Sequence, residues 1–230
     1  MNLANNYAAT QQRLVQAALA AQRDPSSLQL IAVSKTFPTD DIHAVYALGQ
    51  RDFGENYIQE WWQKTEQLAD YGDLVWHIIG NVQSNKSRLV AERAHWLHTL
   101  DSVKLARRLS TQRPAQLPDL QVCIEINIAN EINKHGIAPE QMLDLAHEVM
   151  ALPKLKLRGL MCVAQANVGD DVLQQQFGRM NDLLQQLRQI APDADTLSMG
   201  MSGDLECAVA CGATMVRVGT AIFGGRSYAR

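Results

Sequence analysis

LIAVSK, residues 30–35, is a run of four apolar residues that ends abruptly in Ser34 and Lys35, with Thr36, Phe37 and Pro38 closing it off. Leu30, Ile31, Ala32 and Val33 show no polar alternation, which is the mark of a strand buried on both faces in a parallel sheet. A lysine ending such a strand has its stem in the core and its amine at the rim. Partial desolvation there lowers the amine's pKa and makes it a candidate nucleophile for a carbonyl. Taken alone, the stretch is better explained by a lysine that merely snorkels from a strand end.

Outward from this run, apolar strand-like segments alternate with amphipathic ones along the chain. Strands are predicted at 29–34, 51–54, 74–80, 95–100, 120–128, 156–162, 195–199 and 214–218. Helices are predicted at 39–49, 56–70, 85–93, 102–112, 139–151, 170–190 and 203–211, after an alanine-rich helix at 3–22 that Asp24-Pro25 ends. Eight β/α units within 230 residues predict one (β/α)8 TIM barrel over residues 1–230, with an extra N-terminal helix. A doubly wound sheet is the runner-up, but no GxGxxG follows the first strand.

The composition is that of an ordinary globular chain, 47% hydrophobic and 20% charged, with a net charge of −3. No basic surplus points to nucleic acid. No run of 18 apolar residues points to a membrane span, and the polar MNLANNYAATQQR start lacks a secretory signal. Cys123, Cys162, Cys207 and Cys211 lack CxxC spacing and read as reduced thiols of a cytoplasmic protein. No exposed apolar stretch stands out, so a monomer is expected.

In a barrel the residues just past the carboxyl ends of the strands line the site. These positions hold Ser34-Lys35, Glu55 and Asn56 of FGENY, and His77, Asn81, Gln83, Ser84, Asn85 and Lys86 of WHIIGNVQSNK. They also hold Thr99, Asp101 and Ser102, then Asn127, SMGMS at 198–202 and RVGTAIFGG at 217–225. Ser202 starts a helix with free N–H groups, and Gly219-Thr220 lets backbone amides approach an anion. Loops after strands seven and eight are the recurrent phosphate site of this fold. GNVQSNKS (80–87) lacks the second glycine of a P-loop, and neither HExxH nor GxSxG occurs. His95 and His98 are expected to be surface or supporting groups.

An amine at one strand end and a phosphate cradle across the mouth suit a phosphorylated aldehyde or ketone. A Schiff-base aldolase of sugar phosphates and a holder of pyridoxal 5′-phosphate both fit. Arg217 points inward if Val216 and Val218 point outward. There it would bond the phosphate or face a pyridine nitrogen, leaving that nitrogen unprotonated.

AVSKTFP, FGENYIQE, WHIIGNVQSNK, NIANEINKHG, RGLM and LSMGMSGDLECAVACGATMVRVGTAIFG, in order from about residue 28 to 228, resemble the YggS/PROSC family of pyridoxal phosphate homeostasis proteins. The resemblance implies the barrel of alanine racemase's N-terminal domain (fold type III) carrying pyridoxal 5′-phosphate as an imine on Lys35. It further implies that Ser202, Gly219 and Thr220 hold the phosphate, that Arg217 faces the pyridine nitrogen, and that Asn56 and His77 lie near the ring. The implied role is intracellular cofactor homeostasis, affecting amino-acid and keto-acid balance and involving cofactor-dependent apo-enzymes as candidate partners, without established catalysis. The alternative is an amino-acid racemase, which needs a second base. The expectation is that the racemases' C-terminal domain is missing and that Tyr57 packs on the barrel rather than serving as that base. The motifs depart from the family at Ile78, Asn81-Val82 and Gly203.

Overall fold

The computed structural model describes residues 2–131 and 134–225. Its elements run α1 (Leu3–Ala20), β1 (Gln29–Val33), α2 (Thr39–Ala47), β2 (Asp52–Glu55), α3 (Ile58–Gln67), β3 (Val75–Ile78), α4 (Ser87–Arg93) and β4 (Trp96–Leu100). They continue with α5 (Val103–Gln112), β5 (Leu120–Glu125), α6 (Met142–Met150), β6 (Leu155–Met161), α7 (Asp170–Arg188), β7 (Thr196–Ser198), α8 (Leu205–Ala210), β8 (Met215–Val218) and α9 (Thr220–Phe223). The strands pair in parallel in chain order, and β8 closes onto β1, giving an eight-stranded barrel. Every expected strand is present, most of them trimmed by one to three residues.

Period-two alternation divides each strand between two cores. Ile31, Trp96, Cys123, Met161 and Met215 point inward and fill the barrel. Leu30, Ala32, Phe53, Trp76, Ile78, Leu97, Val122, Ile124, Leu160, Leu197, Val216 and Val218 point outward, under the helices. Strands buried on both faces cannot alternate apolar with polar, which is why LIAV reads as a solid apolar run.

One strand needs a glycine. At Gly159, in β6, a Cβ would sit 1.9 Å from the Thr196 carbonyl oxygen, so no other residue lets β7 approach there. The register of β5 against β6 shifts beside it, between Val122 and Cys123.

Helix α1 lies outside the β/α repeat, packed on α8 and α9. Leu14, Ala17 and Ala18 form its buried stripe. Asn6 Nδ2 donates to the Ile222 carbonyl at 3.1 Å, and Arg23 Nη1 donates to the carbonyls of Val209 (2.9 Å) and Ala213 (2.7 Å). It braces the two helices that follow the glycine loops.

Candidate functional site

Lys35 stands two residues beyond β1, half-buried, in a turn where Thr36 adopts a left-handed backbone (φ 68°). That turn is clamped from behind. Lys64, on α3, donates to the Ser34 carbonyl (2.9 Å), Glu55 Oε1 (2.7 Å) and Glu60 Oε1 (2.6 Å). Ser34 Oγ donates to Glu55 Oε1 at 2.7 Å, and the Thr36 N–H donates to Glu60 Oε1 at 2.6 Å. Glu55 thus sits wholly buried in the layer between barrel and helices, not at the mouth where strand-end reasoning put it. Burial raises its carboxyl's pKa, and the Lys64 ammonium opposes that rise.

Barrel closure sets the glycine loop after β8 beside this turn. Ala32 pairs with Val218, so the chain past β8 runs next to the chain past β1. A Cβ on Gly219 would come 3.2 Å from the Val33 carbonyl oxygen, a close backbone approach that glycine permits. Thr220, exposed, opens α9. Ser202, half-buried, lies in the turn before α8, and that helix begins after Asp204 rather than at Ser202. Asp204 Oδ1 accepts from the Met201 N–H at 2.5 Å. Arg13, on α1, donates to the Ser202 carbonyl at 2.7 Å and grips Glu206 through both carboxylate oxygens at 2.5 Å.

Arg217 points inward, as alternation required, and is buried. Its Nη1 donates to Ser198 Oγ (2.7 Å) and its Nη2 to the Cys162 carbonyl (2.8 Å). His77 does not reach the mouth. It is fully buried in the barrel interior, with Nδ1 2.9 Å from His98 Nε2 and Nε2 2.9 Å from Asp52 Oδ1. Both ring nitrogens are taken by protein partners. His98, expected at the surface or in support, is also fully buried, 2.8 Å from Ser198 Oγ through Nδ1. Burial depresses the pKa of both imidazoles.

Asn56 follows β2 at the mouth, and its Oδ1 is a buried acceptor without a hydrogen-bond partner among the described residues. Gly80 exists to let it pass: a Cβ there would lie 2.3 Å from the Asn56 carbonyl oxygen. Tyr57 is half-exposed beside this position. Asn127 instead braces its own loop, donating to the Glu131 carbonyl and accepting the Glu131 N–H.

Glu125, ending β5, is a site residue that strand-end reading missed. It lines a mouth cavity with Asn127, Lys134, His135 and Val163. Burial pushes its carboxyl up to about 7, with Asp101 adding to the rise and Arg217 opposing it. The signal in the sequence was a lone acid within the apolar run 120–128, on the inward phase of Cys123.

Cys123 and Cys162 are buried, which pushes their thiols up to about 12 and leaves them protonated and unreactive. Among the described residues no group of three or more His, Cys, Asp or Glu is placed to hold a metal, and no helix is long and apolar enough to cross a membrane.

Residues 2–227 match the family model described as the alanine racemase N-terminal domain. The chain is 48% identical to the pyridoxal phosphate homeostasis protein of Pasteurella multocida, covering 100% of both, and 46% identical to that of Escherichia coli, covering 100% and 99%. A solved structure of PipY from Synechococcus elongatus with PLP bound superposes at a TM-score of 0.81, with 36% identity over 97% of this chain and 100% of PipY. An alanine racemase from Corynebacterium glutamicum, 18% identical, shares the fold at a TM-score of 0.72 over 98% of this chain and 62% of the racemase. The chain therefore belongs to the alanine racemase N-terminal domain family and, within it, to the pyridoxal phosphate homeostasis proteins.

Proposed function

We propose that this protein holds pyridoxal 5′-phosphate at the carboxyl mouth of its barrel and serves in the homeostasis of that cofactor. The observation that carries the reading is the closure of β8 on β1. It brings the Lys35 turn alongside Gly219 on adjacent strands, which supports one ligand spanning an amine and an anion cradle. The orphaned acceptor of Asn56 and the close backbone approach at Gly219 fit a ligand of this kind.

When bound, the cofactor supplies an aldehyde, a phosphate and a pyridine nitrogen. Lys35 is the residue that would hold the aldehyde carbon covalently. Ser202, Gly219 and Thr220 would hold the phosphate with backbone N–H groups and hydroxyls. Arg217, which only donates, would face the pyridine nitrogen and keep it unprotonated. Asn56 would donate or accept at the ring edge, and His77 acts from below through His98. Apo-enzymes that accept the cofactor are the candidate partners, with this chain acting as a monomer.

Racemisation is the weaker reading. The names of the relatives point to homeostasis, and Tyr57, its candidate second base, stands half-exposed to solvent, where general base chemistry lacks shielding.

The test is reduction with borohydride after incubation with pyridoxal phosphate. One cofactor per chain should become fixed on the peptide containing Lys35, and Lys35→Ala should fix none. A wild-type chain that takes up no cofactor would overturn the proposal.

A further inference from the structure

The contacts that run from Arg217 down through the barrel form a chain whose hydrogens can be placed by chemistry alone. A guanidinium has donors and no acceptor, so Arg217 Nη1 donates to Ser198 Oγ. The hydroxyl's single proton is free for its other contact, His98 Nδ1 at 2.8 Å, and a neutral His98 that donates through Nε2 accepts it there. In that tautomer His98 carries its proton on Nε2 and donates across 2.9 Å to His77 Nδ1. His77 in turn carries its proton on Nε2 and donates across 2.9 Å to Asp52 Oδ1. Starting instead from the Asp52 carboxylate, which only accepts, assigns the same two tautomers. Four contacts receive four protons, all pointing one way.

The chain's members come from five elements: Arg217 from β8, Ser198 from β7, His98 from β4, His77 from β3 and Asp52 from the amino end of β2. Gln29 Nε2, on β1, also donates to Asp52 Oδ1 at 2.6 Å. Asp52 keeps 19% of its side chain exposed, whereas both imidazoles are sealed. Among the described residues no carboxylate forms an ion pair with the buried Arg217, whose contacts are a hydroxyl and a carbonyl. Asp204 and Glu125 act on this charge through space without bonding it, and the aligned hydrogen bonds polarise one another toward the Asp52 carboxylate.

We propose that Ser198, His98, His77 and Asp52 are positioning residues that fix the guanidinium of Arg217 toward the ring nitrogen of bound pyridoxal phosphate. This rests on the cofactor reading above. None of the four touches the ligand; they act through Arg217.

Two measurements test it. In the cofactor-free protein, two-bond proton–nitrogen correlation spectra at pH 7 should show both His77 and His98 neutral with the proton on Nε2. An Nδ1–H tautomer or an imidazolium at either ring would overturn the chain. In the second, the affinity for pyridoxal phosphate is compared with that for its 1-deaza analogue, which has a CH in place of the ring nitrogen. Wild type should prefer the natural cofactor by about tenfold or more, the worth of one hydrogen bond to a charged donor. Ser198→Ala should bring that ratio close to one while both compounds are still fixed on Lys35 by borohydride, and Ser198→Thr should restore it. A merely structural serine would weaken both compounds equally and keep the ratio, which overturns the proposal. Equal affinities in wild type would overturn it too, and loss of fixation on Lys35 would mark a failure of the cofactor reading instead.

Discussion

Glu125→Gln isolates one carboxyl whose cost can be worked from its surroundings. Glu125 is only 7% exposed, at the inward end of β5, and its carboxyl is pushed from an ordinary value near 4.5 up to about 7. The folded protein therefore keeps this proton up to about pH 7, whereas the unfolded chain releases it near pH 4.5. Between those values the folded state binds more protons, so stability falls as pH rises and levels off above pH 7. Each pH unit of displacement converts at about 1.4 kcal/mol, roughly 3.5 kcal/mol in all. Most of that lies between pH 5 and pH 8, so wild type should lose about 2.5 kcal/mol relative to Glu125→Gln over this interval. The assay is urea unfolding of both cofactor-free proteins at half-unit steps. Gln keeps the shape and removes the titration, so slopes from other groups cancel. A difference between the two proteins that stays flat from pH 5 to pH 8 would refute the burial argument.

Lys64→Met leaves Glu55 buried without its cation and should cost about 3–5 kcal/mol. That is a fall of about 10 °C in thermal midpoint at this chain length, and adding Glu55→Gln should recover part of it. Gly80→Ala drives a methyl group to 2.3 Å from the Asn56 carbonyl oxygen, and fixation of pyridoxal phosphate on Lys35 should drop with a stability loss of about 1–3 kcal/mol. Arg13→Ala should cost under about 1 kcal/mol, because its pair with Glu206 is largely solvated. It should nonetheless narrow the affinity gap between pyridoxal phosphate and pyridoxal in competition binding; an unchanged gap would remove Arg13 from the support of Ser202.

The barrel was legible because its signals are local. Solid apolar runs such as LIAV, spaced by amphipathic segments, carry strand and helix on their own, and a glycine after β8 is visible without knowing its neighbours. Lys35, Gly219 and the inward Arg217 follow from strand ends and alternation. What stayed hidden depends on partners distant in sequence. Glu55 looked like a mouth residue because Asn56 is one; its outward phase became evident only with Lys64 against it. His98 has no local mark of burial, since its partners Ser198 and His77 arrive from β7 and β3. The helix after Ser202 starts late because Asp204 turns back on Met201 and holds the chain out of helical form.

Helix α1 also bears on the order in which this chain acquires its structure. Asn6 bonds a residue 216 positions away, and Arg13 reaches Glu206, 193 positions on. The helix's early contacts are with α2 and Gln50, but the surfaces of α8 and α9 reach it only when nearly the whole chain has been synthesised. Until then α1 lacks its contacts with α8 and α9, and the β1 edge lacks β8. Closure of the ring and docking of α1 use the same late residues, so the cradle around Ser202 and Gly219 should be among the last parts of the molecule to become ordered. Such long-range contacts are slow to form and make the half-built chain the stage most exposed to misassociation.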